Sequence, residues 1–291
     1  MDSSRRRIVV LCNKHLNEVK EAWSVYLIGI CLALMTGSVQ AQQPIFDSHL
    51  HYGGEDVKVY SPKQVIEIFD RNKVEYALVS STPNDGTEQL YHYAPKRIIP
   101  FLGLYRTLKD KRDWMWDGSV IPRLEQALES GIYRGIGEFH IFAEDKNSPV
   151  LKRIVEIAIE RDLMLQVHGD AEVLDEIFEL APNVTILWAH LGTTPEPDFL
   201  RAVLKRHPNN LYIDTSVRDK QLLETETLSQ EWQALFIDYQ DRFMIAVDTF
   251  SVNRWDTFDS VVQDIHHWLD DLPPEVSKKL AYDNAYQLFF K

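Results

Sequence analysis

The chain has 291 residues, 44 acidic against 31 basic, and a formal net charge of −13. A protein with this excess of negative charge repels phosphate backbones, which argues against a nucleic-acid partner. Its two cysteines, Cys12 and Cys31, both lie near the N-terminus, so the rest of the chain has no disulfide, thiolate ligand or cysteine nucleophile.

The N-terminal segment has the order of features typical of a secretory signal. Arginines at residues 5–7 precede an apolar stretch over residues 22–35, and small and polar residues then lead to Ala41. The apolar stretch is shorter than the ~20 residues that a membrane-spanning helix needs. We therefore predict a signal peptide over residues 1–41, secretion to the bacterial periplasm, and no stable membrane insertion after cleavage. A membrane anchor and a different start codon remain alternatives.

From residue 43 onwards, strand-like and helix-like segments alternate. Short apolar runs rich in Val, Ile, Leu and Phe are typical of strands buried on both faces of a parallel sheet. They cover residues 45–51, 76–81, 98–104, 135–141, 164–169, 185–190, 211–216 and 243–249. Amphipathic stretches predict helices over residues 62–72, 119–130, 148–161, 172–181, 195–207, 229–239 and 257–269. Ser61-Pro62 and Ser148-Pro149 are typical helix starts.

This alternation predicts the fold class. Eight strands that alternate with helices favour an α/β architecture, a single-domain (β/α)8 TIM barrel over residues 42–291. A doubly wound open sheet is the alternative, but no glycine-rich phosphate loop follows the first strand.

Several predicted strands end in a histidine or a carboxylate. Because the C-terminal ends of barrel strands surround one mouth, we expect these side chains to converge there. Imidazoles and carboxylates without thiolates are the ligands of a hydrolytic zinc site. The residues are His49, His51, Glu138, His168, His190 and Asp248.

Each of these residues also has an ordinary interpretation. His168 or His190 alone would be a hydrogen-bonded core or loop histidine, and Glu138 could pair with Arg134. Asp47 lies deeper on the face of His49, so we expect it to orient a histidine. His140 could line the pocket or merely end its strand.

Together the motifs resemble the amidohydrolase superfamily, in particular its amidohydrolase-2 branch, over the whole of residues 42–291. They are Asp47-X-His49-X-His51, Gly135-X-Gly137-Glu138, His168, Ala189-His190, Asp248 and a C-terminal Asn284-Ala285-X-X-Leu288-Phe289. One departure is Val247-Asp248-Thr249, where the branch commonly has Gly-Ser/Thr-Asp.

The resemblance implies a metal-dependent hydrolase with one or two zinc ions, manganese being an alternative. His49, His51 and Asp248 would hold the more buried ion. With one metal, His168 completes that site and His190 positions or deprotonates water. With two metals, His168 and His190 hold the second ion and Glu138 bridges. Metal-activated water would attack an ester, lactone or amide of a small molecule, and Asp248 would shuttle the proton.

Three other functions compete with hydrolysis. They are a one-metal non-oxidative decarboxylase of the same family, a metal-independent lactonase, and a non-catalytic binding protein with a degenerate site. Glu138 argues against the decarboxylase, and the complete ligand set argues against a degenerate site.

Arginine can hold a carboxylate and tryptophan can stack on a ring. We therefore predict that the substrate-binding residues include Arg106, Trp114, Trp116 and Arg254. The sequence leaves open which small molecule is the substrate and whether the chain forms a homo-oligomer.

Overall fold

The computed structural model describes residues 43–291. The predicted signal peptide, with both cysteines, lies outside these residues. Eight parallel strands form one sheet in which neighbours follow sequence order. The strands are β1 (Ile45–His51), β2 (Val74–Ser80), β3 (Ile98–Leu102), β4 (Gly135–Ile141), β5 (Met164–Gly169), β6 (Ile186–Trp188), β7 (Leu211–Asp214) and β8 (Phe243–Met244).

The sheet closes on itself where β1 meets the chain that follows β8. The Ser48 amide donates to the Ile245 carbonyl at 3.2 Å, and the Asp248 amide donates to the His49 carbonyl at 2.8 Å. We call this junction the seam. The predicted TIM barrel is thereby confirmed.

Helices connect the strands and cover the outside of the barrel. The longer ones are Pro62–Arg71, Asp85–Tyr93, Val120–Leu128, Pro149–Glu160, Ala171–Leu180, Pro197–Arg206, Gln230–Asp238, Phe258–Leu269 and Asn284–Phe290. Shorter helices are Asp56–Val59, Asp219–Leu222, Val252–Asp256 and Pro274–Lys278, and a small hairpin pairs Leu223–Glu224 with Thr227–Leu228. Within residues 43–291, no helix is long and apolar enough to cross a bilayer.

The seven predicted helices are present, each end within two residues of its predicted place. The Ser61 hydroxyl accepts from the Gln64 amide, and the Ser148 hydroxyl accepts from the amides of Val150 and Leu151. These side chains satisfy amides that the first helical turn leaves unpaired, which confirms both predicted starts. The helix Asp85–Tyr93 was missed, and the predicted third, sixth, seventh and eighth strands are too long at their C-terminal ends.

An aromatic cluster fills the barrel interior at the end where the strands begin. We call it the aromatic plug; it comprises Phe46, Tyr76, Phe101, Tyr282, Tyr286 and Phe289. The Phe289 ring lies 5.6 Å from that of Phe46 and 6.1 Å from that of Phe101. The side-chain amide of Asn284 donates to the backbone carbonyls of Gln240 and Phe243, which ties the C-terminal helix to β8. The chain that leaves β8 therefore closes this end of the barrel.

Candidate metal centre

The six predicted ligand residues meet at the opposite end of the barrel, where the strands finish. His51 Nε2 lies 3.4 Å from Asp248 Oδ1, and His190 Nε2 lies 3.8 Å from Asp248 Oδ2. The rings of His49 and His190 stack at 4.8 Å. Side chains from the ends of five different strands or their following turns thus surround one point, as the barrel topology predicts.

Glu138 lies at the centre of this group. Its Oε1 is 2.9 Å from His168 Nδ1, 3.2 Å from His190 Nε2 and 3.8 Å from His49 Nε2. Its Oε2 is 3.5 Å from His51 Nε2. Its Oε2 is also 3.9 Å from His140 Nδ1, so one carboxylate lies within 4 Å of five imidazoles. Among residues 43–291 it has no ion pair with a lysine or arginine, Arg134 included.

Gly137 explains how β4 brings Glu138 to this point. A Cβ at position 137 would lie 2.3 Å from the Gln166 carbonyl oxygen, and the residue has a φ of +133°. Only glycine combines that backbone conformation with so close an approach of β5. The Gly-X-Gly-Glu motif is therefore a local requirement for placing the glutamate.

Three of the histidines have their outer ring nitrogen bonded to an acceptor. His49 Nδ1 lies 3.0 Å from Asp214 Oδ2, and His51 Nδ1 lies 2.9 Å from the Ser80 carbonyl. His190 Nδ1 lies 2.7 Å from the Ser216 hydroxyl. A hydrogen on Nδ1 leaves the Nε2 lone pair directed at the centre, which is the usual arrangement of metal-binding histidines.

Asp214 is the residue of this centre that the sequence analysis missed. It is fully buried, and besides His49 it accepts from the backbone amides of His190 and Ser216, both at 3.1 Å. The Ser216 hydroxyl also donates to it, so Asp214 orients two of the imidazoles. Its signal was an apolar run that ends in aspartate, as in the other strands, but the predicted strand extended past it.

Asp47 has a different role from the one predicted. Its Oδ1 accepts from the backbone amides of His49 at 3.2 Å and Val247 at 3.1 Å. It therefore holds the seam, and the carboxylate that orients the His49 ring is Asp214. Burial raises the pKa of Asp47 to about 7, although the two amides oppose the shift.

Two residues of the centre adopt left-handed backbone conformations. His190 has a φ of +61° and Asp248 a φ of +54°. Such angles are costly for residues other than glycine and concentrate at functional sites. They end the extended backbone after β6 and β8 and direct both side chains into the mouth of the barrel.

The charges of the centre favour a cation. Burial alone would lower the pKa of His49, but the carboxylates of Asp214, Asp248 and Glu138 outweigh it and raise that pKa to about 10. Burial alone would raise the pKa of Glu138, but the surrounding imidazoles hold it well below its usual range. The imidazoles likewise lower the pKa of Asp214 against the effect of burial. None of the carboxylates of this centre pairs with a lysine or arginine of the described chain.

The donor set fits a metal ion. Asp248 Oδ1 is buried and has no hydrogen-bond partner in the part of the chain that the structure describes, and a buried carboxylate oxygen needs a donor or a cation. His49, His51 and Asp248 form one group whose ligand atoms lie within 4.8 Å of one another. Glu138, His140 and His168 form another. Imidazole nitrogens and carboxylate oxygens are the ligands that zinc and similar divalent ions accept.

His140 differs from the other four histidines of the centre. Its Nε2 lies 3.4 Å from Lys111 Nζ, while its ring stacks on His168 at 4.1 Å. Burial lowers the pKa of His140 to about 3, and Glu138 only partly offsets this. The neutral ring accepts from the Lys111 ammonium, so its outer nitrogen faces a cation where the ligand-like histidines face acceptors. His140 lines the cavity but lacks the setting of a metal ligand.

A cavity of about 880 Å³ opens above the centre. Its floor includes His51, Glu138, His168, His190 and Asp248. This volume is within the range of small-molecule binding sites. The centre is therefore accessible to a small organic molecule.

Only one of the four predicted substrate-binding residues lines this cavity, namely Arg106. Trp114 is buried and donates to the His140 carbonyl at 2.8 Å, and Trp116 is exposed and donates to Asp145. Arg254 donates to the Val247 carbonyl and so holds the turn after β8. Those three residues support the walls from outside.

Known proteins resemble this chain in sequence and in fold. The family model described as amidohydrolase (Amidohydro_2) matches residues 119–291. A search of curated proteins found no significant match.

The chain is also similar to solved barrels. An amidohydrolase from Burkholderia multivorans with bound zinc has 14% identity and a TM-score of 0.53, over 84% of this chain and 98% of its own. A probable 2-pyrone-4,6-dicarboxylic acid hydrolase from Acinetobacter baumannii, with citric acid bound, has 11% identity and a TM-score of 0.54, over 85% and 99%. A TatD-family hydrolase from Entamoeba histolytica has 12% identity and a TM-score of 0.55, over 84% and 99%. Identities this low show a shared fold.

The family match shows more than the fold, because it covers more than half of the sequence, from before β4 to the C-terminal helix. It includes Glu138, His168, His190 and Asp248. The chain therefore belongs to the amidohydrolase family, as its motifs predicted, and is a hydrolase-type enzyme built on a TIM barrel.

Proposed function

We propose that the protein hydrolyses an ester, lactone or amide bond of a small molecule with two divalent ions, zinc or manganese, at the mouth of the barrel. The observation that carries this proposal is the position of Glu138. Its Oε1 lies nearest to His168 and His190, with His49 further away at 3.8 Å, and its Oε2 lies 3.5 Å from His51. A carboxylate that lies between two donor groups is suited to bridge two ions.

The remaining donors divide into two groups around it. His49, His51 and Asp248 would hold the more buried ion, and His168 and His190 would hold the second. The similar structures support a metal-dependent hydrolase, because one is an amidohydrolase with bound zinc and another is a probable 2-pyrone-4,6-dicarboxylic acid hydrolase.

When bound, such ions lower the pKa of a bound water and polarise a substrate carbonyl. The chain supplies the proton transfer. Asp248 lines the cavity, and its Oδ1 has no hydrogen-bond partner among residues 43–291. It is therefore placed to accept a proton from the attacking water and return it to the leaving group. His190, held by Ser216 and Asp214, keeps its Nε2 near Asp248 and Glu138.

Elemental analysis of the purified protein tests this proposal. We expect two ions per chain in the wild type and close to one in Glu138→Gln, which keeps the size but removes the charge. Glu144→Gln, in the turn after β4, is the matched control and should keep both ions.

One ion per chain, unchanged in Glu138→Gln, would reject the bridging role of Glu138 and would favour the one-metal decarboxylase over the hydrolase. No ion after reconstitution would leave the metal-independent lactonase or the binding protein as the remaining functions.

Export is part of the same proposal, and mass spectrometry of the protein from periplasmic extracts should find Gln42 as its first residue.

A further inference from the structure

Three basic side chains line the cavity, and they differ in how their charge is balanced. Arg106 lies 3.0 Å from Asp110 and 3.8 Å from Asp117. Lys111 and Arg218 have no ion pair with any carboxylate of residues 43–291. In a chain with 44 acidic and 31 basic residues, two unpaired cations in the wall of one cavity need an explanation.

The contacts of Lys111 are with two rings and no carboxylate of the described residues. Its Nζ lies 3.4 Å from His140 Nε2 and 5.8 Å from the centre of the Tyr105 ring. The side chain is partly buried. An ammonium that loses part of its hydration without gaining an anion is incompletely compensated. An anionic group in the cavity would complete its coordination.

Backbone carbonyls fix Arg218 beside the centre. Its Nε donates to the His190 carbonyl at 2.9 Å, and Nη2 lies 3.5 Å from the Gly192 carbonyl. A guanidinium has five N–H donors, so donors remain for a ligand. Lys111 follows β3 and Arg218 follows β7, and both side chains line the cavity above the centre.

Three large apolar side chains also line this cavity although they are exposed. They are Leu108, Val217 and Phe250, of which Leu108 and Phe250 are 69% and 63% exposed. Exposed large apolar side chains around a concave site are typical of ligand-binding surfaces. The cavity thus combines unpaired cations with exposed apolar side chains.

We propose that Lys111 and Arg218 determine specificity, and that the substrate is an organic carboxylate with an apolar or aromatic body. This inference rests on the proposed function, since it names the substrate class of the same site. The carboxylate binds to the cations of the walls, and the apolar body packs against Leu108, Val217 and Phe250 while the bond to be hydrolysed lies over the centre.

Isothermal titration calorimetry with phenylacetate and its neutral counterpart phenylacetamide tests this inference on the metal-loaded protein. We expect the wild type to prefer phenylacetate. Lys111→Gln and Arg218→Gln should each weaken phenylacetate binding about tenfold, the size expected for a charge-assisted hydrogen bond, and change phenylacetamide binding less than about twofold. Lys109→Gln, an exposed neighbour of Lys111 outside the cavity lining, is the control and should leave both affinities unchanged.

A wild type without a preference for phenylacetate would overturn the inference. So would variants that retain phenylacetate affinity while chelation abolishes it, because the carboxylate would then bind to the ions. Metal content of the same samples separates this result from the proposed function. Two ions without anion preference reject only the specificity, whereas anion preference without ions rejects only the metal-dependent hydrolysis.

Discussion

The two ends of the barrel interior are built from opposite kinds of residue. The end where the strands begin holds the aromatic plug, in which Phe46 and Phe101 are fully buried. The end where the strands finish holds imidazoles and carboxylates, with left-handed backbone at His190 and Asp248. Burial of apolar rings stabilises the first end, whereas buried charge and backbone strain lower stability at the second. Stability and chemistry are therefore concentrated in different layers of one barrel.

The largest effect should come from Asp248→Asn at the polar end. The substitution keeps the shape of the side chain but removes its capacity to accept a proton. We expect the hydrolytic rate to fall about 10³-fold, which corresponds to about 4 kcal/mol. The free energy of unfolding of the metal-free protein should change by less than about 1 kcal/mol, because the burial cost of the Asp248 carboxylate is lost together with its contacts to His51 and His190. Steady-state kinetics measures the hydrolytic rate, and urea unfolding measures the free energy of unfolding. A clear loss of stability would contradict the separation of stability and chemistry between the two ends of the barrel.

Phe101→Ala, at the apolar end, should have the reverse outcome. Its ring is fully buried and lies 6.1 Å from that of Phe289. Truncation should cost about 3 kcal/mol of unfolding free energy and lower Tm by about 10 °C. The rate per folded molecule should be unchanged, and a fall in that rate would show that the two layers are coupled.

Metal removal should destabilise the polar end alone. Ions present at about a hundred times their dissociation constant stabilise the folded state by about 2.7 kcal/mol. Chelation should therefore lower Tm and speed hydrogen exchange at the amides of His49 and Asp248, which lie at the seam. Amides beside the aromatic plug, such as that of Phe243, serve as the internal control and should keep their exchange rates.

Asp214→Asn should weaken the centre without contacting the substrate. Asp214 orients His49 directly and His190 through Ser216, so its loss should lower zinc affinity about tenfold. Competition with a chromogenic chelator measures that affinity. Asp175→Asn, an exposed carboxylate that pairs with His207, is the matched control.

The smallest effect should be that of Trp116→Ala. The side chain is exposed and lies outside the cavity, so we expect kcat/KM to change less than about twofold and stability less than about 0.5 kcal/mol. A larger loss of kcat/KM would restore the stacking role that the sequence suggested for it.

The fold was predictable from sequence because apolar runs and helix starts are local signals. The bounds of β1, β4 and β5 agree with the prediction, since each of these strands is one continuous run. The sixth predicted strand was too long because His190 turns the backbone through a left-handed angle, and the eighth because its regular pairing with β7 ends at Met244. No apolar pattern reveals either end. Amino-acid composition and the spacing of apolar residues indicate which segments are extended, but they do not indicate where an extended segment turns.

The candidate site was predictable only in part. Residues at strand ends were found because strand ends converge, and the family resemblance grouped them. Trp114 was misplaced because its partner, the His140 carbonyl, lies 26 residues away and has no sequence signal. Lys111 and Arg218 were missed for a related reason: being unpaired is a property of the folded surroundings, and many lysines and arginines look alike in sequence.

The seam has a consequence for the order of folding. It joins His51 to Thr249, 198 residues further along the chain, and the same junction brings Asp248 to the two histidines of β1. Contacts so distant in sequence carry a large loop-closure cost and form late. An ion meets its full set of ligands only after the whole barrel has assembled. In contrast to small zinc domains, where the ion drives folding, metal uptake here marks the completion of the native state.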